Sequence, residues 1–143
     1  MWKSLSCVAL AALLGACVQQ TSSSKPGAAQ AVERGAYLVN ALGGCNDCHT
    51  PMTPQGPDMT HSLQGASLIF EPEPAVQGMP WAAIAPSLAG GPAGYTDEQF
   101  EHFLQTGEKP DHSHARPPMP QFRLNAEDAH AVVAYIKTVP RAQ

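Results

Sequence analysis

Apolar residues return at helical spacing in three stretches of this chain, and nowhere with the alternation of a convincing strand. Val32, Gly35, Ala36 and Val39 fall at i, i+3, i+4 and i+7, which gives a first helix one apolar face. Gly43-Gly44 ends that helix, because glycine takes the left-handed terminal conformation at little cost. A second helix is predicted from Thr96, where Thr96-Asp97-Glu98-Gln99 has the form of a capping box. Phe100, Phe103 and Leu104 make its inner face, and Gly107 stops it. A third runs from about Ala126 to Thr138, capped by Asn125, with Glu127 and Asp128 in its first turn. Ala129, Val132, Val133 and Ile136 repeat the helical spacing there, and Pro140 comes after the end. Roughly 50–95 and 107–124 have no periodicity and are dense in Pro, Gly and Met. Irregular stretches of that length are uncommon in a small domain unless they serve a function.

One apolar run has a different character. After Lys3, Leu5 to Ala16 is almost wholly apolar and small, too short to span a bilayer but of the length of an export signal. It closes on Leu14-Gly15-Ala16-Cys17, which is similar to a bacterial lipobox. That likeness implies a lipoprotein signal peptide over 1–16, with Cys17 lipidated as the first mature residue. Two or more acyl chains would then hold the protein at the periplasmic side of a membrane. Residues 17–27 read as the lipidated N-terminus and a polar, Ser-rich tether. The folded domain is expected over 28–143.

Composition narrows the function. A chain of 143 residues has room for one domain, and 14 Pro and 12 Gly against few aromatics leave a modest core. A large apolar cofactor would complete such an interior. A net charge of −4 with no basic run argues against nucleic acid as a partner.

The candidate chemistry lies in Cys45-Asn46-Asp47-Cys48-His49. With Cys7 in the signal and Cys17 lipidated, Cys45 and Cys48 are the two thiols left to the exported domain. Two thiols three residues apart can add to the two vinyl groups of one haem, and the adjacent histidine then lies under the iron; the pentapeptide is the c-type haem attachment pattern. A zinc site would need a fourth ligand, and a thioredoxin-like redox pair would need a βαβ setting. One covalent haem c is therefore expected, with His49 as an axial ligand. Met52, Met59, Met79, Met119, His61, His102, His112, His114 and His130 are candidates for the opposite position. Met119 is the best placed, because Pro117-Pro118 and Pro120 stiffen the backbone around it. Polar loops and helix surfaces are the expected settings of the other histidines, and cofactor packing that of the other methionines.

These motifs together resemble the class I c-type cytochromes, over about Ala28 to Pro140. The likeness rests on an N-terminal helix with Gly35 and Tyr37, on Cys45-x-x-Cys48-His49 and on Gly56-Pro57. A Pro-flanked Met119 and a last helix with Tyr135 complete it. It implies an all-α domain wrapped around one haem, and electron transfer rather than enzymatic catalysis. It also implies that the first and last helices cross at Gly35, facing the Val132–Ile136 stripe, with Tyr37 and Tyr135 packed nearby. Pro57 is the implied carbonyl acceptor for the second ring nitrogen of His49. Trp81 is read as a donor to a haem propionate or as a packing residue. Redox partners would be a membrane dehydrogenase, a quinol-oxidising complex or a terminal oxidase. The alternatives are a haem subunit within a membrane-associated dehydrogenase complex, or a gas- or peroxide-binding haem protein with an open sixth position.

Overall fold

The computed structural model describes residues 27–69 and 78–142. The export signal, Cys17 and the tether up to residue 26 lie outside the described residues. Four helices carry the fold. They are α1 (Ala28–Tyr37), α2 (Cys45–His49), α3 (Asp97–Thr106) and α4 (Ala126–Ile136). Among the described residues, no helix is long and apolar enough to cross a membrane.

The helix ends obey their capping residues. Thr96 Oγ1 accepts from the Gln99 amide at 3.2 Å while Thr96 N–H donates to Gln99 Oε1 at 2.9 Å, so two otherwise unpaired amides at the start of α3 are satisfied. Gly107 closes α3 at φ +76, and Asn125 Oδ1 accepts from the Asp128 amide at 2.8 Å to open α4. The first helix departs from expectation at its far end. Beyond Tyr37 it widens into a π-helical turn, Leu38–Leu42, in which the Gly43 amide reaches back five residues to the Leu38 carbonyl at 2.7 Å. Such a widened turn inserts one extra residue and changes the direction in which the chain leaves the helix. Gly44, at φ +58, then turns the chain into α2.

α1 and α4 cross at close range. A Cβ placed on Gly35 would lie 1.9 Å from the Ala131 carbonyl oxygen and 2.7 Å from Tyr135 Cβ. The expected crossing at Gly35 is present and Tyr135 packs there as expected, but the backbone it meets is that of Ala131 rather than the Val132–Ile136 stripe. Val132, Val133 and Ile136 instead turn into the core. On α1 the buried face is likewise set one residue earlier, on Ala31 and Gly35, because only small residues fit where two backbones nearly touch. Tyr37 does not pack there. It is 53% exposed and lies under the Arg34 guanidinium, 5.6 Å from its ring centroid. Arg34 also pairs with Asp128 on α4 at 2.8 Å.

The core joins Leu38 and Val39 of the widened turn to Leu63, Leu88, Phe100, Phe103, Leu104, Val132, Val133 and Ile136. Burying each of its large side chains is worth about 1.5–3 kcal/mol. Phe100 and Phe103 stack at 5.9 Å, with Tyr95 edge-on to both. The strands among the described residues are short clips, each two residues long. β1 (Met52–Thr53) pairs antiparallel with β2 (Gly56–Pro57), and β3 (Ala66–Ser67) with β4 (Ile84–Ala85). They pin loops and form no layer, so the domain is all-α in architecture.

Candidate haem site

Cys45, Cys48 and His49 share the single turn of α2. At helical spacing, positions 45, 48 and 49 project from one side. Both thiols are free and half-buried. Burial pushes the Cys45 thiol up to about 11, and burial with the neighbouring Asp47 carboxylate also raises that of Cys48. Both are therefore neutral thiols at pH 7 in the folded chain.

His49 is 5% exposed. Its Nδ1 lies 2.7 Å from the Pro86 carbonyl oxygen, which can only accept, so Nδ1 carries the proton and Nε2 keeps its lone pair. Burial lowers the ring's pKa more than this hydrogen bond raises it, so the imidazole stays neutral. A neutral, oriented imidazole with a free Nε2 lone pair is the form a metal takes as a ligand. The acceptor is Pro86, not the expected Pro57. Pro57 lies in β2, half-buried opposite Met52, and its clip holds the chain just after α2. Pro86 is 37 residues from His49, and no local pattern could mark it.

The positions between the two cysteines carry a second element that sequence reasoning missed. Asn46 is 6% exposed and ties four segments together. Its Nδ2 donates to Asn40 Oδ1 at 2.7 Å, and Asn40 Nδ2 donates in turn to the Tyr135 hydroxyl at 2.9 Å. Asn46 Oδ1 accepts from Thr50 Oγ1 at 2.6 Å and from Ser62 Oγ at 2.8 Å. Thr50 Oγ1 accepts from the Leu63 amide at 2.8 Å. The network runs from α4 through the widened turn into α2 and the loop after it. It fixes α2 with directional bonds where a five-residue helix could not hold itself.

Met119 sits in a turn, its amide donating to the Arg116 carbonyl at 3.2 Å, just after a cis Pro117–Pro118 bond. It is half-buried against the core, whereas Met52, Met59 and Met79 are 41%, 56% and 52% exposed. With Phe103, His114, Pro117 and Gln121 it lines a cleft of about 300 Å³. Two contacts bring this segment towards α2. The Ala82 amide donates to the Pro117 carbonyl at 2.8 Å, four residues before the Pro86 carbonyl that holds His49. On the other side, Cys45 Sγ and Phe122 Cε1 lie 3.5 and 3.8 Å from where a Cβ on Gly43 would stand. Trp81 is half-buried beside Ala82, at the same junction.

The remaining histidines are at the surface. His61 contacts Asp58, His112 contacts Glu108, His130 contacts Glu101, His114 faces the Gly107 carbonyl, and His102 lies 4.0 Å from Glu108. Among the described residues, no three His, Cys, Asp or Glu side chains stand together as a metal site. The residues of α2 fit a haem: two free thiols on one helical turn, and a buried imidazole whose tautomer is fixed by a carbonyl.

A helical domain that presents two thiols and a neutral imidazole on one turn has the features of a haem-binding domain. Residues 32–140 match the cytochrome c family, and the chain belongs to that family. Its members carry haem c and transfer electrons. A diheme cytochrome c-type protein of Cereibacter sphaeroides is 32% identical over 114 residues, which cover 76% of this chain and 35% of the relative. The fructose dehydrogenase cytochrome subunit of Gluconobacter japonicus is 30% identical over 114 residues, covering 75% of this chain and 22% of the relative. The chain therefore spans about a third of the first relative and about a fifth of the second.

Proposed function

We propose that this chain carries electrons through one haem c, attached at Cys45 and Cys48, with His49 and Met119 as axial ligands, at the periplasmic surface of a bacterial membrane. The observation that carries the reading is the geometry of α2: two thiols on one turn, and beside them an imidazole held by Pro86 with its Nε2 lone pair free. Haem c supplies a metal that changes its charge by one electron. Everything else falls to the protein. Cys45 and Cys48 would hold the porphyrin through thioethers, the thiols supplying sulfur and hydrogen to its vinyl groups with no change of oxidation state. His49 offers a neutral nitrogen of fixed orientation. Met119 offers a thioether, which favours the reduced state and raises the potential relative to a second imidazole. Its burial against the core, unlike the exposure of Met52, Met59 and Met79, supports that assignment. Trp81, beside the Ala82–Pro117 contact, is placed in the same reading as a donor to a propionate. No nucleic acid is involved.

The lipobox-like run supports anchoring at Cys17. Partners are then membrane-bound: a dehydrogenase, a quinol-oxidising complex or a terminal oxidase. The dehydrogenase reading has its own support, since one relative is by name the cytochrome subunit of a fructose dehydrogenase. In that second reading the chain is a fixed haem subunit of such a complex. Met119→Ala tests the ligand set. The oxidised variant should lose the sulfur-to-iron charge-transfer band, and the reduced variant should bind carbon monoxide. Retention of the band would assign another methionine.

A further inference from the structure

We infer that Arg141, together with Gln64, positions His49 by holding the Pro86 carbonyl on its ring. The inference rests on the reading of His49 as an axial ligand. Pro86 follows directly on β4, whose pairing with β3 fixes Ala85 on one side, so the position of its carbonyl, 2.7 Å from Nδ1, depends on what holds the chain on the other. Two loops and the chain end supply that.

The first loop is 63–65. The Leu63 carbonyl accepts from the Leu88 and Ala89 amides at 2.8 and 3.1 Å and from Ser87 Oγ at 3.2 Å, while the Gly65 amide donates to the His49 carbonyl at 2.7 Å. This loop therefore grips the backbone of His49 on one side and the segment after Pro86 on the other. The fit is close, since a Cβ on Gly65 would lie 2.8 Å from Ser87 N and 3.1 Å from the Pro86 carbonyl carbon.

The chain end locks both pieces together. Arg141 donates from Nε to the Ala89 carbonyl at 3.2 Å, and from Nη2 to the Gly90 and Gly91 carbonyls at 2.8 and 3.2 Å. Its side chain lies so near Gly90 that a Cβ there would be 2.6 Å from Nε. On the other loop, Gln64 Nε2 donates to the Pro140 carbonyl at 2.5 Å and the Ala142 amide donates to Gln64 Oε1 at 2.9 Å. Residues 140–142 thus join loop 63–65 to loop 88–91, and Pro86 stands between the two joints. A guanidinium bonded to three carbonyls is well suited to this, because its donors form a rigid fork. The outer hydrogen bond of a ligating imidazole sets its donor strength, so freedom at Pro86 would be felt at the metal.

The test uses the haem-loaded protein and the variants Arg141→Ala, Gln64→Ala and, as a purely structural comparison, Asn125→Ala. Two quantities are read: the reduction potential, and the exchange with water of the His49 Nδ1 proton by NMR of the reduced form. Arg141→Ala should move the potential to a more positive value and speed that exchange by about tenfold or more, the effect of losing charge-assisted hydrogen bonds. Gln64→Ala should do the same to a smaller extent, and it stands in if Arg141→Ala does not accumulate. Asn125→Ala, which removes only the cap of α4, should lower the melting temperature and leave both quantities alone. A melting temperature that falls in Arg141→Ala and Gln64→Ala with potential and exchange unchanged would overturn the inference, leaving these residues a merely structural role. His49→Ala that keeps the parent optical spectrum would overturn the axial reading itself, and this inference with it.

Discussion

Gly35 meets the backbone of Ala131 with no room for a methyl group: a Cβ at position 35 would lie 1.9 Å from the Ala131 carbonyl oxygen. No rotamer relieves a clash between a Cβ and a main-chain atom, so Gly35→Ala must push α1 and α4 apart. Alanine gains about 1 kcal/mol of helix propensity over glycine, and overpacking a close contact costs about 1–3 kcal/mol and sometimes more. Here the larger figure applies, because the separation also strains the Arg34–Asp128 pair and the Asn40–Tyr135 bond. A net loss of about 2 kcal/mol is expected, a fall in melting temperature of roughly 10 °C for a domain of this size. Thermal melting monitored by circular dichroism checks it. A melting temperature equal to the parent's would mean the helices cross elsewhere.

Asn46 gives the second prediction. Asn46→Leu is similar in size but removes the acceptor of Thr50 and Ser62 and the donor to Asn40. A buried polar group left unpaired costs about 1–3 kcal/mol. The variant should be about 3 kcal/mol less stable in urea unfolding, the upper end of that cost because several partners are stranded at once. Adding Ser62→Ala should return part of that loss, because the hydroxyl stranded by the first change is then gone. Strict additivity of the two changes would show that they are not in one network.

What could be read from the sequence and what could not divides along physical lines. Thr96 with Gln99, Asn125, Gly107 and the Phe100–Phe103–Leu104 face were legible because caps and helical periods are local. The α2 motif was legible because thiol and imidazole chemistry demands fixed spacing. Two things resisted. Where contact between elements decides, as with Ala131 opposite Gly35 and the exposed Tyr37, the sequence shows which residues are apolar but not which small ones the crossing selects. Where a loop carbonyl decides, as at Pro86, any residue can supply it and no side chain marks it. The widened turn at Leu38–Leu42 belongs to this second group, for it depends on where α2 must be delivered. Gly65 and Gly90 were the available hints of the loop packing.

The anchor yields the third prediction. If Cys17 bears lipid, Cys17→Ser should yield either a soluble cytochrome or an uncleaved precursor in cell fractionation. A flexible tether of ten residues, the length expected between Cys17 and Ala28, would reach roughly 18 Å. A haem held that near the surface meets partners in the same membrane at high effective concentration. The released form should be reduced more slowly by membrane-bound donors, and at the parent rate by a small soluble dye. Equal rates with membrane donors would argue for a freely diffusing carrier.

The most direct test of the whole account is mass analysis of the peptide that carries Cys45–His49, from protein matured in a host that attaches haem, after extraction with acidic organic solvent. The account predicts a single haem retained on that peptide through both Cys45 and Cys48, one linkage surviving in each of Cys45→Ala and Cys48→Ala, and none in the double variant. Haem released into the solvent, with Cys45 and Cys48 recovered as free thiols, would contradict it.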